Sequence, residues 1–87
     1  MMEAAEIIKA MRRTSRNSWE ETVKGLSAEE LHEASDLCFD ICKYHGELGE
    51  YLGARGGFGE DQGHIVARQW ADWILRALRK AIGYSYP

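Results

Sequence analysis

SAEELHEASDLCFDICKYHGELGEYLG, residues Ser27 to Gly53, is the stretch whose reading decides the fold. Leu31, Ala34, Cys38, Ile41, His45, Leu48 and Leu52 recur alternately three and four apart, one continuous seam at heptad period. Glu29, Glu33, Asp36, Asp40, Lys43, Glu47 and Glu50 keep the same alternation on another face, and all but one are acidic. The spacing predicts a long amphipathic helix with one side built to pack and one to meet water or a basic partner.

Its start is well specified. Ser27-Ala28-Glu29-Glu30 is a capping box, in which the serine and the glutamate three residues later satisfy each other's backbone N–H groups. Leu26 before the cap and Leu31 within the first turns can close over it as a hydrophobic staple. The end has two readings. Gly46, Gly49 and Gly53 each cost about 1 kcal/mol relative to alanine inside a helix, so Gly46 could cap a helix that stops near Tyr44. Alternatively, Ser35, Cys38, Cys42, Gly46, Gly49 and Gly53 form a stripe of small residues that lets a partner backbone approach closely. The seam and the acidic stripe both persist to Leu52, which favours one helix over 28–52.

Outward from this stretch the chain reads as helices throughout. Ala4, Ile7, Ile8 and Met11 repeat at three to four, predicting a helix over 3–13 with a basic end that suits its negative pole. Residues 14–17 read as a polar loop. Ser18-Trp19-Glu20-Glu21 has the form of a second capping box, opening a short helix over 19–24 that Gly25 ends in a left-handed conformation. Beyond Gly53 a glycine-rich connector leads to Asp61 as an N-cap and a last helix over 62–82, stopped by Gly83. Val66, Ala67, Trp70, Trp73, Ile74, Ala77, Leu78 and Ala81 form its apolar face. The expected fold is all-α: one domain with two short N-terminal helices, then a long antiparallel helical hairpin, together a small helical bundle.

Composition narrows the functions. The chain has 87 residues, 45% of them hydrophobic, with three Trp, four Tyr and two Phe, which suits a folded domain. A core this small gives self-association a reason. The net charge of −3 provides no general attraction to nucleic acid or anionic membrane. No apolar run approaches the roughly 18 residues of a membrane span, and Met1-Met2-Glu3-Ala4 does not open a signal peptide, so a cytoplasmic location is expected. Charge is uneven: residues 1–26 carry net +1, residues 27–53 net −6 and residues 54–87 net +2. Cys38 and Cys42 lie on one helix, where a bridge would restrict little, and are expected to be reduced.

Candidate chemistry is sparse. Glu20 to Ala34 has the outline of a helix-turn-helix, but its reading helix would carry Glu29, Glu30, Glu33 and Asp36 without a Lys or Arg, so sequence-specific DNA binding is not expected. Glu29-Glu30-Leu31-His32-Glu33 with Asp36 resembles fragments of helical carboxylate metal sites. Those sites take further acids from a facing helix, and Glu60, Asp61 and Asp72 are not spaced to supply them. Cys38, Cys42 and His45 share one helical face as a partial zinc site. Arg55 in the connector and His64 beyond it could receive a nucleotide or phosphate, although the Gly-Lys-Ser/Thr ending of a P-loop is missing. No nucleophile has an identifiable base and orienting acid.

The leading expectation is therefore a small non-enzymatic interaction or regulatory module without a cofactor, of a size that suits a phage or mobile-element inhibitor or adaptor. It is expected to form a homo-oligomer and to occupy a protein partner that the sequence does not identify. Trp73 is the first aromatic for such a contact, since Trp70 and Trp73 are not expected to point the same way from one helix. Gly46, Gly49 and Tyr51 would serve at a close helix crossing, Glu33 and Asp40 on the acidic face, and Arg76 on the basic helix. A small-ligand or zinc-binding helical protein is the alternative.

Overall fold

The computed structural model describes residues 2–44, 46–54 and 60–83. Its elements are α1 (Ala4–Arg13), a 3-10 turn (Arg16–Ser18), α2 (Trp19–Lys24), α3 (Ala28–Tyr44), α4 (Gly46–Ala54) and α5 (Glu60–Ile82). Among the described residues there is no strand, and the all-α expectation holds. Among them, too, no helix is long and apolar enough to cross a membrane.

The predicted seam is the buried side of α3: Leu31, Ala34, Cys38 and Ile41 are all inside, and Leu52 continues the core from α4. Glu29, Glu33, Asp36, Asp40, Lys43, Glu47 and Glu50 are all exposed. α1 contributes Ile7, Ile8 and Met11, each at most 1% exposed. Burying a side chain of this size stabilises by roughly 1.5–3 kcal/mol, so this one helix supplies a large share of the core. α5 closes it with Ala67, Ala71, Ile74, Leu75 and Leu78. Ala71 and Leu75 thus belong to the inner face, whereas Ala81, assigned to it from spacing, is exposed.

One helix over 28–52 does not form. Gly46 has φ +69°, in the left-handed region that an α-helix of L-residues cannot contain, and the chain restarts there as α4. Close approach is nonetheless achieved further on. A Cβ placed on Gly53 would fall onto the carbonyl of Gly63, 2.9 Å from its carbon atom, so α4 and α5 touch backbone to backbone. Order along the contacts is reversed: Gly53 meets Gly63, Cys42 shares a surface cleft with Arg68 and Asp72, and Phe39 lies under Arg79. α3 and α4 therefore run antiparallel to α5. The small residue at 53 admits a helix of the same chain, and Gly49 is likewise buried within it.

Other sequence expectations change in detail. Ser18 makes no side-chain cap, because it already has helical angles (φ −89°, ψ −8°) where a capping residue must be extended. Ser15 takes that role, its hydroxyl accepting from the Asn17 N–H at 3.3 Å. Gly25 ends α2 with φ −82°, not left-handed. α5 begins at Glu60, so Asp61 lies inside its first turn and does not precede it.

The capping box at Ser27 forms as expected: Ser27 N–H donates to Glu30 Oε1 at 2.9 Å, and Glu30 N–H donates to Ser27 Oγ at 3.1 Å. Glu30 does more than the sequence implied. Its second oxygen accepts from the Met2 N–H at 2.8 Å, which fixes the approach to α1 against the start of α3. Hydrogen bonds from the backbone of Ser27 and then Met2 hold this carboxyl below its ordinary value of 4.5, against an opposing desolvation.

Gly53→Ala should destabilise by about 1–3 kcal/mol in urea unfolding, because the obstructing group is backbone. Gly63→Ala, whose Cβ meets nothing within 4 Å, should instead stabilise by about 1 kcal/mol. Because the Glu30 pKa is depressed on folding, its contribution is present above about pH 4.5 and lost as pH falls through the lower folded value. Glu30→Gln should therefore be less stable than wild type at pH 7, and the difference should shrink as acid protonates the folded carboxyl.

Candidate functional site

The polar loop after α1 and the short α2 are held by a chain of aromatic rings. Trp19, 5% exposed, donates its indole N–H to the Met11 carbonyl at 2.8 Å, an acceptor at the end of α1 that also receives the Thr14 N–H at 3.3 Å and the Thr14 hydroxyl at 3.2 Å. Its ring meets Trp70 edge-on at 6.0 Å, and Trp70 meets Trp73 edge-on at 5.1 Å. Trp70 and Trp73 thus share one side of α5, contrary to expectation, since residues three apart are neighbours on a helix. Arginines from the N-terminal segment cover them: Arg12 lies 3.9 Å from the Trp70 ring centre and Arg16 4.1 Å from that of Trp73. Arg12 also donates from Nε to the Leu52 carbonyl at 3.3 Å, joining α1 to α4.

This arrangement leaves a groove of about 1020 Å³ between α2 and the C-terminal half of α5. Its floor is apolar, with Val23, Leu26, Leu31, Trp73 and Ala77. Its rim carries Arg16, Lys24, Arg76 and Lys80 against one carboxylate, Glu20. The local sign is the reverse of the chain's net charge of −3. Lys24 reaches Glu21 at 3.6 Å and Glu20 at 4.0 Å, and Arg76 pairs with Asp72 at 3.1 Å. These are exposed pairs within single helices, which contribute little to stability and exchange readily for other anions.

Trp73 and Arg76, both singled out from sequence, meet in this groove. Glu33 and Asp40 stand on the exposed face of α3, outside it. Gly46 is exposed at the α3–α4 break, Gly49 is buried, and Tyr51 is half-buried beneath the Lys9 ammonium at 5.4 Å. Arg16, Lys24 and Lys80 were not marked as site residues. The signal for them was the basic bias of the two outer segments, which the fold brings together around Trp73.

The described ligand and metal candidates lie elsewhere. Arg55 and His45 fall outside the described residues, and His64 is exposed near the start of α5, away from the groove. Cys38 is fully buried and Cys42 half-buried, both as free thiols. Burial pushes both upward, and for Cys42 the charge of Asp72 adds to this while Arg68 and Arg79 oppose it. The protonated thiol is a poor ligand and a poor nucleophile. Among the described residues no three His, Cys, Asp or Glu gather as a metal-sized cluster.

The staple at the α2–α3 junction forms part of the groove's inner wall, so its stability is measurable through the cap beside it. Ser27→Ala should cost about 1 kcal/mol in chemical unfolding by removing the oxygen that receives the Glu30 N–H. Comparison with family models, curated protein sequences and solved structures finds no match, and the groove's own chemistry is what carries a functional reading.

Proposed function

We propose that this chain is a small, non-enzymatic helical interaction module whose α2–α5 groove seats an acidic, apolar-anchored segment of a protein partner. The observation that carries this reading is the pairing of an indole-floored apolar trough with a basic rim of four side chains and one acid. Apolar floor and charged rim match the division of labour at protein interfaces: buried aromatics supply most of the affinity, while rim charges set orientation and association rate. Trp and Arg, the residue types most enriched at energetic centres of interfaces, are stacked together at Trp73 and Arg16. The lining is suited to adhesion more than to group transfer. A small-ligand or zinc-binding role would rest on Arg55 and His64, or on Cys38, Cys42 and His45; of these, the described His64, Cys38 and Cys42 lie outside this groove.

A fluorescently labelled amphipathic peptide with acidic flanks and a central Phe or Leu should bind the full chain, and a peptide of the same apolar pattern with basic flanks should not. Trp73→Ala should weaken the acidic peptide by about thirtyfold, corresponding to roughly 2 kcal/mol for an interface aromatic. Lys24→Glu with Lys80→Glu should remove the preference for acidic flanks. Equal anisotropy changes with both peptides, or none with either, would sink the reading.

A further inference from the structure

The chain itself displays the chemistry its groove is suited to receive. Phe39 is 44% exposed at the middle of α3, one of few large apolar side chains left in solvent among the described residues. Glu33, Asp36 and Asp40 are exposed beside it. At 3.6 residues per turn these four fall within about a third of the helix circumference. They form an acidic face with a single aromatic anchor. Resting on the reading of the groove as a docking site, we propose that its occupant is this Phe39 face of α3 from a second copy of the chain.

Charge and geometry both support a second copy. Glu33, Asp36 and Asp40 oppose the Arg16, Lys24, Arg76 and Lys80 rim, and the phenyl ring matches the apolar floor around Trp73. The two cations near Phe39, Lys43 at 5.3 Å and Arg79 at 5.6 Å from its ring centre, have Glu20 of the rim as a counterpart. A chain cannot fill its own groove. Phe39 is packed under Arg79, which points about a third of the way around α5 from Trp73, and α3 is fixed by the buried Leu31, Ala34, Cys38 and Ile41. The donor face and the groove are different surfaces, and the proposed contact is the heterologous one, one face in one groove, not the reciprocal two-fold pair in which each copy fills the other's groove. Each added copy leaves one face and one groove unfilled, and the assembly grows head to tail or closes into a ring.

This asymmetry gives a test that a symmetric dimer would fail. In sedimentation velocity at low salt, the wild-type mass should rise with concentration past the dimer, and return to monomer near 1 M salt, where screening acts within about 3 Å. Asp36→Lys with Asp40→Lys spoils the face, and Lys24→Glu with Lys80→Glu spoils the groove. Each variant alone should associate about a hundredfold more weakly, because like charges then meet. Their equimolar mixture should recover assembly, since the intact face meets the intact groove and the reversed face and reversed groove are again opposite in charge. Far-UV circular dichroism equal to wild type checks that each variant is folded. Wild type that stays monomeric at roughly millimolar concentration would overturn the proposal, as would a mixture that associates no better than either variant alone. If the acidic peptide still binds while self-association is absent, the groove reading stands and only the second copy is wrong.

Discussion

Backbone meets backbone where Gly53 crosses Gly63, and much of the remaining architecture depends on that contact. No side chain separates α4 from α5 there, so Leu52 can reach the core and its carbonyl can receive Arg12. Arg12 in turn lies over Trp70, which packs edge-on against Trp73 of the groove. A crossing of two glycines at one end of the bundle is thereby linked, through a guanidinium and a run of aromatic rings, to a surface at the other end. Interiors packed this closely transmit small displacements instead of absorbing them.

Helices were legible in the sequence because amphipathic period is a local property. α1, α2 and the first two-thirds of the central stretch follow directly from it. The break at Gly46 was harder, because the apolar seam and acidic stripe run on through it to Leu52, as if in register. A short second helix re-entering on nearly the same face leaves the same periodic trace as one uninterrupted helix. Only a backbone angle separates the two. Gly53 was legible as a site of close approach, but sequence could not say which helix would approach, and a covalently connected α5 is available at far higher effective concentration than any second molecule.

The groove was only partly legible. Trp73 and Arg76 stood out as an aromatic and a cation on one helix. Arg16 and Lys24 belong to a loop and a six-residue helix whose place against α5 is set by the Trp19 indole bonding to Met11, a contact with no signature in sequence spacing. Glu30 shows the same limit. Its capping role is a three-residue motif, whereas its bond to Met2 spans 28 residues and depends on how α1 lies across α3. The acid read from sequence as a local cap also ties the start of the first helix to the third, and its depressed pKa expresses the cap and that tie together.

Trp19, Trp70 and Trp73 are the chain's full complement of indoles, and they stand in edge contact, Trp19 with Trp70 and Trp70 with Trp73. At centroid separations of 6.0 and 5.1 Å their electronic transitions couple, and excitation passes among them faster than it is emitted. The chain's ultraviolet signal therefore belongs to the cluster and not to three independent chromophores. Whatever perturbs Trp73 at the surface is read out by Trp19 in the interior, which makes the groove optically visible without any added label.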